Sequence, residues 1–282
     1  MLVNEAIAFA EQELKRSNNL NSRLDSEILV SHLINISRES IYSKLKENLP
    51  SNKNEELQEL VSRRVKKEPI AYILNNKEFW STNFYVDRSV LIPRPETEVL
   101  IDLILSQISN KNNYLNILDI GTGSGCILIS LLKELVKAKG IGVDKSIKAI
   151  TIAKKNSISQ QVDNRASFKN VNLEDIKFDK KFDLIVSNPP YLPDVSLKNL
   201  NLDIKLYEPK IALQGGVQGV DFLYKIIDLA SKILKINGLL ALEIGDNQFH
   251  ILAKYLKIKR FKLLDKYILI NKQVRCLLAT KL

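Results

Sequence analysis

Asn188-Pro189-Pro190-Tyr191 is the tetrapeptide in this 282-residue chain that packs most chemistry into least space. It follows an apolar, strand-like run, Phe182-Asp183-Leu184-Ile185-Val186-Ser187. Two consecutive prolines supply no backbone N–H and fix φ, so the carbonyls there point in set directions. The Asn188 side-chain oxygen and the Pro189 carbonyl are then two acceptors, each able to take one N–H of a planar amide or amino group. Such a nitrogen is a poor nucleophile because its lone pair is delocalised. Held by both N–H bonds in line with an electrophile, it gains through positioning and electrostatics, and its proton leaves afterwards. Tyr191 offers a ring for the planar group to pack against.

The electrophile is suggested by a second motif, Leu118-Asp119-Ile120-Gly121-Thr122-Gly123-Ser124-Gly125-Cys126, between a strand-like run and a helix. Its glycines let the backbone turn tightly and approach a ligand, while amides at the helix start face that ligand. A dinucleotide loop needs Gly-x-Gly-x-x-Gly; counted from Gly121, the last position falls on Cys126. Asp144 closes the next strand, where an acid can bind ribose hydroxyls. Asp119, the loop and Asp144 describe a nucleoside site without a pyrophosphate clamp. S-adenosylmethionine fits it better than NAD, and the reaction becomes methyl transfer to nitrogen.

Both loops need a scaffold that brings them together. After residue 114 strand-like runs alternate with helical ones: Leu115–Ile120, Ile141–Asp144, Ala166–Val171, Phe182–Ser187, Leu239–Ile244, and a final pair within Phe261–Ile270 and Gln273–Thr280. That alternation predicts an α/β fold with a mostly parallel sheet covered on both faces, its last two strands forming an antiparallel hairpin edge. Ligands of such sheets bind beyond the carboxyl ends of the strands. The first ~70 residues read as a small helical bundle instead. A helix around Ile7 and Leu14 is followed by one around Leu24–Ile34 after Asn21 or Ser22, and by a short third over Ser40–Lys46. A fourth carries a capping-box signature at Asn52 and Glu55 and stops before Pro69. Ile70–Leu74 and Glu78–Val86 read as the strands of a linking hairpin. Leu91-Ile92-Pro93-Arg94-Pro95 then makes a stiff turn before a helix at Val99–Ser106. The expected division is 1–69 for the helical domain, 70–90 for the linker and 91–282 for the catalytic domain.

Composition narrows the chemistry further. Cys126, Cys276, His32 and His250 are the only cysteines and histidines, and none stands at a metal-ligand spacing, so no metal is expected. All four read as packing or surface residues. Apolar runs fall short of the ~20 residues that cross a bilayer, and Met1-Leu2-Val3-Asn4-Glu5 lacks a basic leader region. A cytoplasmic monomer without membrane contact is the expectation. Through Tyr85 the chain holds 12 basic and 12 acidic side chains, so the remainder carries the whole net charge of +10. A basic catalytic half, with Lys254, Lys257, Lys259, Arg260, Lys262 and Lys266 close together, suits proximity to the ribosome or RNA.

These motifs resemble those of the PrmC/HemK family, the protein-(glutamine-N5) methyltransferases that modify peptide-chain release factors. The likeness covers nearly the whole chain: Glu68-Pro69-Ile70-Ala71-Tyr72-Ile73, Glu78-Phe79-Trp80, Val90 through Glu98, Phe182 through Tyr191, Tyr207-Glu208-Pro209, Gly215-Gly216, and Leu242 through Gly245 before Gln248. The resemblance implies a class I (Rossmann-like) S-adenosylmethionine methyltransferase with a seven-stranded sheet. Its expected substrate is the glutamine of a release factor's Gly-Gly-Gln motif, docked by the helical domain. It also implies that Asp119, Gly121, Thr122, Gly123, Gly125, Asp144, Asn172 and Asn188 hold the cofactor. Asn188, Pro189, Pro190, Tyr191, Arg94 and Thr97 would meet the substrate, with Asn188, Pro189 and Tyr191 catalytic and Phe79 and Trp80 packed beneath. Asn75 and Ser81 stand where the family commonly has glycine, and Asn172 where an acid often faces the adenine. The segment Asn271–Arg275 is shorter than the family's usual turn.

The tetrapeptide alone does not separate a glutamine amide from the N6 of adenine or the N2 of guanine, so a DNA or RNA methyltransferase is the alternative. A third reading is a non-catalytic ribosome or release-factor binder on the same scaffold.

Overall fold

The computed structural model describes residues 1–282, which form two compact units: Met1–Asn76 with Asn201–Tyr207, and Lys77–Leu200 with Glu208–Leu282. No helix is long and apolar enough to cross a membrane.

The first unit is helical. Helices α1 (Val3–Arg16), α2 (Ser22–Leu33) and α3 (Asn54–Val65) bury Ile7, Leu29, Leu33, Leu57 and Val61 in one core. The Glu5 carboxylate accepts the Leu2 N–H at 2.7 Å and so closes the start of α1. Arg64 of α3 ties to the buried Asp25 of α2 at 2.7 Å. Three expectations fail here. The third helix is a 3-10 turn, Glu39–Ser43. Asn52 caps nothing: Pro50 opens a 3-10 turn at Ser51–Lys53 that runs straight into α3, whose N-cap position is Lys53. The expected strand at Ile70–Leu74 is a helical turn, α4 (Ile70–Ile73). Pro69 is preset for a helix start, and its carbonyl accepts the N–H groups of Tyr72 and Ile73, both at 3.0 Å. Helix Leu202–Tyr207 (α8 in chain order) also belongs to this unit.

The second unit opens with a hairpin, β1 (Lys77–Phe79) and β2 (Thr82–Phe84), shorter than the expected strand. Its two-residue turn, Trp80-Ser81, places both residues at φ 51°, the left-handed region a type I′ turn requires. Asn75 stands at φ 50°. The two positions where glycine was expected thus keep a left-handed backbone here, which Asn75 tolerates well and Ser81 less so. Phe79 and Phe84 are buried edge to face, 6.1 Å apart. Helix α5 (Pro95–Ser106) begins a turn before the expected Val99 because Pro95 fits the first helical position.

There follow β3 (Asn116–Ile120), α6 (Cys126–Glu134), β4 (Lys139–Asp144), α7 (Ile147–Ser159), β5 (Ala166–Asn170), β6 (Phe182–Ser187), α9 (Asp221–Ile233), β7 (Leu234–Glu243), α10 (Phe249–Ile258), β8 (Phe261–Ile268) and β9 (Val274–Lys281). The sheet order is β5-β4-β3-β6-β7-β9-β8, and β9 alone runs antiparallel to its neighbours. This is the expected seven-stranded class I architecture. Strand residues alternate between two cores, Ile117 with α6 on one face and Leu118 with α9 on the other. Strand β3 has β4 on one side and β6 on the other, so the chain changes direction between β3 and β6. Ligands of open α/β sheets bind at such a switch point.

Candidate active site

The glycine loop leaves β3 and the Asn188 loop leaves β6 side by side, because Ile120 and Ser187 are partners in the parallel register. The Ser187 hydroxyl donates to the Ile120 carbonyl at 2.6 Å and pins the two loop roots together. Above them lies a cleft of about 270 Å³. Arg94, Thr97, Gly121, Thr122, Gly123, Asp144 and Asn172 line it, as do Asn188, Pro189 and Pro190. Asp119, Gly125 and Tyr191 do not.

The loop's backbone explains its glycines. Gly121, Gly123 and Gly125 sit at φ 72°, 54° and 81°. A Cβ on Gly121 would meet nothing within 4 Å, so that backbone faces open cleft. Gly125 serves packing instead, since a Cβ there would lie 3.1 Å from that of Ala153. Asp119 lies beneath the loop, fully buried; its Oδ2 accepts from the Thr122 hydroxyl at 2.6 Å while its Oδ1 has no partner. Burial, seconded by the charge of Asp144, pushes the Asp119 carboxyl up to about 7, with the Thr122 hydrogen bond opposing. At the tip of β4, Asp144 accepts the N–H of Gly123 at 3.0 Å and of Ser146 at 2.9 Å. Burial raises its carboxyl as well. Asn172 donates to Asp175 at 3.2 Å, beside Val171, Leu173 and Phe222 on the cleft wall.

This donor set fits S-adenosylmethionine. An unpaired buried carboxylate oxygen and a second partly desolvated acid favour a cationic ligand. Asp144 keeps further lone pairs for hydroxyls, and the wall around Phe222 is apolar enough for a heterocycle.

On the other side of the cleft a chain of hydrogen bonds supports Asn188. Its Nδ2 donates to Thr97 Oγ1 at 3.1 Å, and the Thr97 hydroxyl donates to Glu243 Oε2 at 2.6 Å. The Tyr191 hydroxyl donates to the other oxygen of Glu243 at 3.0 Å. Tyr191 therefore turns its hydroxyl away from the cleft, with the Arg275 guanidinium 5.4 Å over its ring. Burial, followed by the Glu243 charge, raises the Tyr191 hydroxyl far above its ordinary value. The amide of Gln248 donates to the Tyr191 carbonyl at 2.9 Å and accepts the Gly245 N–H at 2.7 Å. Arg94 is paired with the buried Glu208, which also accepts the Ile92 N–H at 3.3 Å.

Glu208, Glu243 and Gln248 carried no role in the reading of the sequence. The signal for Glu243 was there: an acid at the end of the otherwise apolar run Leu239-Leu240-Ala241-Leu242 is out of place unless something needs it.

A model of the PrmC N-terminal domain matches residues 5–74, and a model of the methyltransferase small domain matches residues 97–248. A release factor glutamine methyltransferase of Clostridium acetobutylicum is 35% identical over 263 residues, covering 93% of this chain and 92% of that protein. A bifunctional methyltransferase of Rickettsia prowazekii is 40% identical over 243 residues, 80% of this chain but 47% of that longer protein, so the chain spans about half its length. A ribosomal protein L11 methylase from Lactobacillus delbrueckii superposes with a TM-score of 0.50 at 19% identity, over 67% of this chain and 80% of that one; the likeness there is one of fold.

Proposed function

Because the chain belongs to the family of release factor glutamine methyltransferases, we propose that it transfers the methyl group of S-adenosylmethionine to the side-chain amide nitrogen of the Gly-Gly-Gln glutamine in a peptide-chain release factor. When bound, S-adenosylmethionine supplies a methyl group on a sulfonium that is a good leaving group. Everything else falls to the chain's own residues. Asp119, Gly121, Thr122, Gly123 and Gly125 shape and charge one end of the cofactor's seat, and Asp144 and Asn172 the other. Asn188, Pro189 and Pro190, with Arg94 and Thr97 beside them, form the substrate side, and Tyr191 supports it from behind through Glu243. Residues 1–69 serve as the docking domain, 70–90 as the linker and 91–282 as the catalytic domain. The reading places the chain in the cytoplasm as a monomer, its basic half near the ribosome.

The observation that carries the reaction is the state of Asn188. One N–H of its Nδ2 goes to Thr97, which leaves the side-chain carbonyl available as an acceptor, and both Asn188 and Pro189 line the cleft. Two acceptors suit an NH2 group that must be held by both hydrogens.

The test is methyl transfer from labelled S-adenosylmethionine to a release factor. The native factor should take label, and a factor with that glutamine changed to alanine should take none. Equal labelling of both, or label that survives protease and disappears with nuclease, would overturn the proposal in favour of another acceptor or of a nucleic-acid base.

A further inference from the structure

The residue pair Thr97 and Glu243 does more than fill space beneath the cleft. Glu243 closes β7 and is 1% exposed; Thr97 is the third residue of α5 and 2% exposed. Each oxygen of the Glu243 carboxylate takes one hydroxyl, Thr97 on Oε2 and Tyr191 on Oε1. An ionised carboxylate only accepts. The Thr97 proton is therefore spent on Glu243, and the Thr97 oxygen can offer Asn188 only a lone pair. Asn188 must answer with its NH2 end, as it does at 3.1 Å. An asparagine amide is nearly symmetric in shape, and nothing steric prevents it from turning over; flipped, it would present a donor to the incoming NH2 group, and binding would fail.

We propose that Glu243, acting through Thr97, is the positioning device that fixes which end of the Asn188 amide faces the substrate. The inference rests on the reading of Asn188 as an acceptor for the substrate amide. Polarity is passed along the chain from a charged acceptor to a hydroxyl to an amide, so one buried carboxylate dictates the orientation of a group two hydrogen bonds away. The same carboxylate holds the Tyr191 hydroxyl, so both ends of the tetrapeptide lean on a single anchor. Burial raises the Glu243 carboxyl; the Thr97 and Tyr191 hydroxyls and then Arg275, which donates to the Ile244 carbonyl at 2.9 Å and lies over the Tyr191 ring, act against that rise and favour the ionised form, while Glu96 adds to it.

The experiment compares Thr97→Val, Thr97→Ser and Glu243→Gln in the full chain, with Asn188→Ala and the double variant Thr97→Val/Asn188→Ala. Readouts are kcat on a release factor at saturating S-adenosylmethionine, affinity for S-adenosylmethionine, and Tm. Valine matches threonine in shape but ends the relay, so kcat should fall about fivefold or more, the size one neutral hydrogen bond gives, with cofactor affinity within twofold of wild type. Serine restores the hydroxyl and should return most of the lost rate. Glu243→Gln introduces a donor into the relay and should lower kcat at least as far. On the Asn188→Ala background, Thr97→Val should cost nothing further, because Thr97 acts through Asn188. The inference is overturned if Thr97→Val keeps wild-type kcat, if serine fails to rescue, or if the two losses add in the double variant. It also fails if kcat and cofactor affinity fall together. Full activity of Asn188→Ala would instead overturn the acceptor reading, and this inference with it.

Discussion

Replacing Asp119 with asparagine should change how stability depends on pH. Asp119 is wholly buried with one carboxylate oxygen unpartnered, and its carboxyl is held at about 7 against an ordinary value of 3.8. Between those two values the folded chain keeps a proton that the unfolded chain has lost. Stability therefore falls as pH rises through this window and levels off above about 7. At about 1.4 kcal/mol per pH unit, a window of about three pH units sets a ceiling of about 4 kcal/mol. Asparagine carries no charge and removes this slope. Asp144 and Glu243, whose carboxyls are also raised by burial, titrate in both proteins, so the difference between the two curves reports on Asp119. Denaturant melts without ligand at about pH 4 and about pH 7.5 should show the asparagine variant gaining about 2–4 kcal/mol on the wild type between them. Wild-type affinity for S-adenosylmethionine should rise over the same pH range, because a cationic ligand favours the carboxylate, and the variant should lose that rise. Parallel stability curves for the two proteins would refute the reasoning.

Gly125→Ala should destabilise the second unit by about 2–4 kcal/mol, combining a left-handed backbone with an overpacked contact; φ is 81° there and the added Cβ would sit 3.0 Å from Ile129 Cδ1 and 3.1 Å from Ala153 Cβ. Thermal melts would show it, and an unchanged Tm would mean the loop relaxes more easily than its packing implies. Cys126 should resist alkylation at pH 8 until the chain is unfolded, since burial pushes its thiol up to about 12; rapid labelling of the native protein would contradict that placement.

The features legible in the sequence were those whose chemistry is local. Asn188-Pro189-Pro190-Tyr191 follows its strand directly, and the Asp119–Gly125 loop sits between strand and helix, so spacing along the chain located both. The central strands were legible for the same reason, β3, β6 and β7 carrying runs of buried apolar residues, whereas the edge strands β5 and β8 are mostly exposed. Ile70–Leu74 was not, because five apolar residues fit a strand and a helical turn equally, and Pro69 decided between them. The support of the site was harder to see. Glu243 meets residues 146 and 52 positions earlier, Thr97 and Tyr191, and no periodicity encodes such contacts. Thr97 and Tyr191 were expected to face the substrate; Thr97 lines the cleft while bridging Asn188 to Glu243, and the Tyr191 hydroxyl turns to Glu243. Their residue types were informative, but their direction depended on the buried acid.

The account's central claim is that Asn188 acts on the substrate amide and that any contact it makes with the cofactor adds little to cofactor affinity. Single-turnover methylation by Asn188→Ala, with S-adenosylmethionine affinity measured alongside, tests it most directly. The rate should fall by about 10²–10³, as when one preorganised hydrogen-bonding group is removed from an active site, while cofactor affinity stays within about threefold, a difference under 1 kcal/mol. A retained rate, or a loss carried by weakened cofactor binding, would contradict the account.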